Sequence, residues 1–227
     1  MGATTLENNF AYTVFIDLDN TLIRKVSGRE LAVNATRKGL LKISSVPGVL
    51  FSYIQYKLGL KGPVEMSEKL AGWTKGMPHE KFDRLCQDTI EKILLEHIDN
   101  EIIAEIGHHE MNKARVVVLS ASAYEICSRI VSYFGFDAAI CTVLECKDGK
   151  LSGKASGNFC FGEEKIKRLR DFCSSNNIKI SESWYYGDSL SDLPVFEEIG
   201  HPVCVNPNRS LSHLAIRNNW KILKTGH

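Results

Sequence analysis

A run of apolar and β-branched residues, Tyr12-Thr-Val-Phe-Ile, stops abruptly at an acid, Asp17. A short continuous apolar run of this kind reads as a buried strand. The form returns in Arg115-Val-Val-Val-Leu-Ser120 and in Ser183-Trp-Tyr-Tyr-Gly-Asp188, each closing on a polar residue. Pro202-Val-Cys-Val-Asn206 and Trp220-Lys-Ile-Leu223 supply two later strands. Helical patterns lie between them. Over Glu163 to Cys173, the residues Ile166, Leu169, Phe172 and Cys173 share one face. Ser122-Ala-Tyr-Glu125 fits a capping box that opens the helix after Ser120. Strands alternating with helices predict an α/β fold built on a doubly wound parallel sheet.

The gap between the first two strands breaks the alternation. Residues 25–110 carry helical patterns, such as Ile90, Ile93, Leu94 and His97, and a βαβ crossover does not need that many residues. The reading is a core of residues 1–24 and 111–227 with a helical cap, 25–110, inserted over the carboxyl edge of the sheet. Further on, Cys141 to Cys146, Lys147-Asp-Gly-Lys150 and Leu151 to Lys154 read as a β-hairpin with an Asp-Gly turn.

Charge and cysteine content exclude some partners. There are 28 basic and 27 acidic residues, net +1, so no basic excess points to nucleic acid. The seven cysteines are odd in number and none forms C-x-x-C, which predicts free buried thiols in a reducing, cytoplasmic setting. Met1 to Glu7 has neither the basic nor the apolar region of a signal peptide, and no window of eighteen apolar residues offers a membrane span.

The polar strand ends carry the chemistry. Asp17-Leu-Asp19-Asn-Thr21 delivers two carboxylates, two residues apart, to the edge where open α/β sheets bind ligands. Such close acids repel unless a cation holds them. Alone, the run also fits a strand-ending turn with an N-cap. Ser120 ends the next strand, where its hydroxyl and the following N–H groups, Ala121 first, can hold a phosphate at a helix N-terminus. A plain cap explains it as well. Lys165 opens the helix after Gly162 and can neutralise phosphoryl charge, though a solvated surface lysine is the plainer account. Gly187-Asp188-Ser-Leu-Ser-Asp192 again ends a strand in acid, with a second acid four residues on. Asp188 can complete an oxygen-ligand magnesium site, while a helix start capped by Ser189 is the alternative.

The order acid pair, serine, lysine, acid pair, from Asp17 to Asp192, resembles the haloacid dehalogenase superfamily, whose four motifs match in sequence. The helical insertion and the hairpin at Lys147–Lys150 are similar to its phosphoserine-phosphatase-like branch, subfamily IB. The tail from Gly200 to Pro207 and Asn219 to Leu223 looks like the family's closing strands. The resemblance implies a Mg²⁺-dependent phosphomonoesterase. Asp17 is then the nucleophile that forms an aspartyl-phosphate, and Asp19 protonates the leaving oxygen and later activates water. Asp17, the backbone carbonyl of Asp19 and Asp188 would ligate Mg²⁺. Thr21, Ser120, Ala121 and Lys165 would bind the phosphoryl group, with Asp192 orienting metal waters or Lys165. An acid at position 19 favours phosphate chemistry over carbon–halogen cleavage.

Some residues depart from the branch. Val26 stands where phosphoserine phosphatases carry a substrate-binding glutamate, with Glu30 nearby, and Ser191 stands where asparagine is usual. Both argue against phosphoserine as substrate. Leu40 to Leu60 is rich in apolar residues around a Pro47-Gly48 break. Cap packing accounts for it, and an apolar mouth for a lipid-like phosphate or a face lying on a membrane is the alternative. His108-His109 reads as a solvated helix end, and Trp73 and Trp184 as packing residues. Trp73, Lys75, Met77, His79 and Arg84 are candidates for the substrate mouth. A phosphotransferase or phosphomutase uses the same centre. A non-catalytic phospho-signalling domain of the receiver type shares the residue types, but there the lysine comes last, whereas Lys165 precedes Asp188.

Overall fold

The computed structural model describes residues 10–41 and 71–226. Its elements in chain order are β1 (Tyr12–Ile16), α1 (Ser27–Arg37), α2 (His79–Thr89), α3 (Asn100–Met111), β2 (Ala114–Ala123), α4 (Tyr124–Phe134), β3 (Ala138–Thr142), β4 (Leu144–Lys147), β5 (Lys150–Ala155), α5 (Glu163–Ser175), β6 (Trp184–Gly187), the single turn α6 (Leu193–Phe196), β7 (His201–Val205), α7 (Arg209–Arg217) and β8 (Lys221–Leu223). Six strands form one parallel sheet in the order β3-β2-β1-β6-β7-β8. β4 and β5 form the separate antiparallel hairpin, turning on Asp148 and Gly149, both at positive φ as an Asp-Gly turn requires.

Alternation along the central strands makes two cores, because successive residues point to opposite faces. Val14, Ile16, Val116 and Val118 meet Ile102 and Ile106 of α3 and Ile126 and Ile130 of α4. Phe15, Val117 and Leu119 meet Ile166, Leu169 and Cys173 of α5 and Leu211 and Ala215 of α7. None of the seven cysteines is bonded to another, and all but Cys146 are buried. Among the described residues, no helix is long and apolar enough to cross a membrane.

Two chain crossings root the inserted segment. The chain leaves β1 through Ile23, which bridges antiparallel to Ile98 on the way back, and Arg24 N–H donates to the His97 carbonyl at 2.8 Å. Asp99, fully buried, locks the root. It accepts Arg24 Nε at 2.9 Å, the N–H groups of Glu101 and Ile102 at the start of α3, and the Thr225 hydroxyl at 2.5 Å. Burial alone would raise the Asp99 carboxyl, but these donors hold it below the usual range. The insertion is fastened a second time at the hairpin. Gly76 N–H donates to the Leu151 carbonyl, Leu151 N–H to Met77 and His79 N–H to Gly149, at 2.8 to 2.9 Å. Beside these, Asp83 pairs with Arg129 at 2.6 Å and His79 with Glu125 at 2.9 Å.

Three local readings change. Cys141 and Thr142 belong to β3 rather than to the hairpin their sequence suggests, and the hairpin's first strand starts only at Leu144. The capping box at Ser122 does not form, since Ala123 is the N-cap of α4, without a side-chain bond, and Glu125 turns to His79. His109 is buried rather than solvated. Its ring nitrogens lie 2.9 Å from the Tyr12 hydroxyl and 2.7 Å from the Tyr186 hydroxyl, and Tyr186 also donates to Glu105. Trp73 and Trp184 do pack, against Phe82 and against His201. The apolar stretch beyond Leu41 lies outside the described residues.

Close approach of two backbones makes one position testable. A Cβ on Gly200, just before β7, would fall 1.8 Å from the Ser181 carbonyl oxygen. Main chain cannot swing aside as a side chain can. Gly200→Ala is expected to cost roughly 1–3 kcal/mol, read as a melting temperature lowered by about 5 °C. A melt within a degree of the parent contradicts this packing.

Candidate active site

The sheet order reverses between β1 and β6: from β1 the chain adds β2 and β3 on one side, then crosses back to add β6, β7 and β8 on the other. Ligands in open α/β sheets bind at such a switch, outside the carboxyl ends of the strands. Asp17 and Asp188 follow the two strands that meet there. Ile16 is in register with Tyr186, and Asp17 N–H donates to the Tyr186 carbonyl at 2.9 Å, so residues 171 positions apart in sequence share one rim. The positive φ of Asn20, a conformation asparagine tolerates, turns the chain back after Asp19.

One carboxylate oxygen from each of Asp17, Asp188 and Asp192 lies within 4.8 Å of the others. Lys165, from the first turn of α5, enters this cluster fully buried. Its ammonium is 3.2 Å from Asp17 and 2.8 Å from Asp192, and it donates to the Tyr185 hydroxyl at 2.8 Å. The surface reading of Lys165 is therefore wrong. Burial would lower its pKa, but Asp17 and Asp192 outweigh that and hold it well above the usual lysine range. Burial pushes the Asp17 carboxyl up to about 8, with Lys165 opposing and Asp192, Asp188 and Asp19 adding to the rise. Gly187 keeps the cluster tight: a Cβ there would fall 2.7 Å from the Tyr185 ring and 3.0 Å from Asp192 Oδ2.

The other predicted residues lie around the same rim. Ser120 is buried near the end of β2, its hydroxyl 3.3 Å from the Ser122 hydroxyl, and the Ala121 carbonyl accepts Thr142 Oγ1 at 2.8 Å. Thr21 is buried in the turn after Asp19, with no hydrogen-bond partner for its hydroxyl. Asp19 is partly exposed and accepts the Ser27 N–H at 2.9 Å. Ser189 accepts from Ser191 N–H, so a serine cap and the acid cluster coexist in one turn. Three neighbours escaped the sequence reading: Tyr185, Ser122 and Ser27. Tyr185 was within reach, because residues two apart on a strand share a face and Tyr185 precedes Gly187 by two.

The donor set suits a hard divalent cation. All its ligands are oxygens, the carboxylates outnumber the one lysine, and Asp192 Oδ2 is buried without a hydrogen-bond partner.

Residues 14–197 match the family model of the haloacid dehalogenase-like hydrolases, and the chain belongs to that family. Its relatives and structural neighbours in that family include phosphatases and phosphoserine phosphatases. It is 29% identical over 218 residues to a probable phosphatase of Mycobacterium tuberculosis, covering 92% of this chain and 74% of that one. A phosphoserine phosphatase of the same organism is 27% identical over 218 residues, covering 92% and 69%. Among solved structures, a Bordetella pertussis protein of unknown function superposes with TM-score 0.85 at 19% identity, over 94% of this chain and 98% of that one. A substrate-bound phosphoserine phosphatase superposes at 0.67 and 19% identity, over 89% of each chain.

Proposed function

We propose that this chain hydrolyses a small phosphate monoester through an aspartyl-phosphate on Asp17. The observation that carries the reading is the meeting of Asp17, Asp188, Asp192 and Lys165 at the switch between β1 and β6. Asp17 attacks phosphorus and splits one hard displacement into two easier ones. Asp19 gives a proton to the leaving oxygen and later takes one from water. Lys165, with Ser120 and the Ala121 N–H, holds the phosphoryl oxygens, and Asp192 holds Lys165. Mg²⁺ on Asp17, Asp188 and the Asp19 carbonyl would supply charge that offsets repulsion between nucleophile and phosphate. A solved phospho-aspartyl intermediate analogue of a phosphoserine phosphatase, TM-score 0.65, supports the covalent route.

The inserted segment is read as a cap from 25 to about 98, shorter than the sequence suggested, because α3 lies on β2 and its N-cap Asp99 belongs to the root. Val26 and Ser191 argue against phosphoserine itself. The free thiols support a reducing, cytoplasmic setting.

Purified protein assayed with Mg²⁺ across amino-acid, sugar, nucleotide and lipid phosphates tests the reading. Free phosphate with water as acceptor marks hydrolysis, and a phosphorylated acceptor marks transfer. Asp19→Asn is expected to slow turnover ~10²–10⁴-fold, the usual share of a general acid–base group. No ester cleaved faster than by the Asp17→Asn protein overturns it.

A further inference from the structure

Ser122 fits a helix cap by its sequence, yet its hydroxyl does something else. It lies 3.4 Å from both carboxylate oxygens of Asp19 and 2.5 Å from the hydroxyl of Ser27. Ser27, the first residue of α1, is fully buried and gives its N–H to Asp19 Oδ1 at 2.9 Å. We propose that the Ser27–Ser122 hydroxyl pair is a positioning element that fixes Asp19 between core and insertion for proton transfer to the leaving group. The inference rests on the phosphatase reading and deepens it.

Three observations carry it. First, two hydroxyls are buried together beside one carboxylate, with Ser120 Oγ 3.3 Å from Ser122 Oγ. Burying hydroxyls is costly unless they are paired, and a chain of such bonds polarises each member toward the anion at its end. Second, α4 goes without a side-chain cap while Ser122 is directed to Asp19, although serine is among the residues favoured as a helix cap. Third, α1 also lacks a cap from its own N-cap residue, Val26, and the Asp19 carboxylate meets the open N–H of Ser27 instead. The positive end of a helix favours an anion there.

The arrangement assigns the two oxygens of Asp19. Oδ1 accepts the Ser27 N–H, so the transferable proton is carried on Oδ2. In the first half-reaction an Asp17 oxygen bonds to phosphorus, the ester P–O bond breaks, and the leaving oxygen takes the proton from Asp19 Oδ2. In the second, Asp19 takes a proton from water, the water oxygen bonds to phosphorus, and Asp17 is released as carboxylate. The hydroxyl pair keeps Oδ2 aimed at the leaving oxygen. Hydrogen bonds of catalytic groups are often long without substrate and tighten with it, as the 3.4 Å distances require here.

A leaving-group comparison separates positioning from mere packing. The kcat/KM with Mg²⁺ is measured for glycerol 2-phosphate, whose alkoxide must be protonated, and for 2,4-dinitrophenyl phosphate, whose phenolate leaves unaided. Ser122→Ala is expected to lose roughly tenfold on the first ester, the size of one hydrogen bond to a charged group, and under about threefold on the second. Ser27→Ala should lose in the same direction, and Ser122→Thr should recover most of the rate. In an Asp19→Asn background, Ser122→Ala should cost less than about twofold, because the group it positions is gone. Where the single variant fails to fold, Ser27→Ala/Ser122→Ala together replaces both partners with methyl groups and allows the same comparison. Equal losses on both esters, or an undiminished loss in the Asp19→Asn background, overturn the inference and leave the phosphatase reading standing. A parent protein that cleaves neither these esters nor any of the wider panel removes both.

Discussion

Asp17→Asn is expected to lower phosphomonoester turnover on the order of 10⁴–10⁶-fold, the range seen when a nucleophile or its activating partners are removed, and also to make the metal-free protein more stable at neutral pH. The first effect follows because an amide is a poor nucleophile. The second follows from burial. The Asp17 carboxyl titrates at about 8 in the folded chain, against 3.8 for an unhindered aspartate. A group whose folded pKa is raised contributes stability that is full below the unfolded value and is lost as pH rises through the folded one. Without a divalent ion, the parent therefore loses stability between about pH 4 and pH 8, and the asparagine variant, neutral throughout, does not share that loss. In EDTA near pH 8 the variant should melt roughly 5 °C or more above the parent, and Mg²⁺ should narrow the gap by stabilising the parent. Melting curves across pH, with and without Mg²⁺, check this. Parallel slopes for the two proteins, or near-parental turnover by the variant, contradict the assignment of Asp17.

Lys165→Met is expected to damage stability and activity together. The ammonium lies between Asp17 and Asp192 with almost no exposure, so its removal leaves two buried acids without their cation. Breaking a buried pair by deleting one partner costs roughly 3–5 kcal/mol, or about 6–20 °C in melting temperature for a chain of this size. Turnover should fall at least ~10²–10³-fold, since a preorganised donor to the phosphoryl oxygens is lost. Mg²⁺ should raise the melting temperature of this variant more than that of the parent, because the uncompensated carboxylates then have a cation to hold. A variant that melts within about 2 °C of the parent places the lysine outside the charge balance of the cluster.

The polar-ended strands were legible because a buried strand that stops at an acid carries both fold and site in one signal. Asp17, Asp188 and Lys165 could be read by type and order alone, and parallel pairing then brought them to one rim. What escaped depended on partners distant in sequence. β3 is short, begins with two alanines and runs directly into the hairpin, so its pattern merged with the next element. His109 looked like the end of a polar helix, and only the approach of Tyr12 and Tyr186 shows that it is buried. Ser122 matched a local capping rule that its tertiary neighbours Asp19 and Ser27 override. Tyr185 shares a strand face with Gly187, but the ending of Lys165 against its hydroxyl depends on a helix twenty residues earlier.

On the proposed reading of the insertion as a cap over the site, its second fastening restricts how an ester comes and goes. A lid on a single stalk swings freely, but this one is bolted at the far side too, through Gly76, Met77 and His79 to the hairpin and through Asp83 to Arg129. Admission and release of substrate must therefore either unzip those main-chain bonds on every turnover or leave the bolted side at rest and proceed by movement elsewhere.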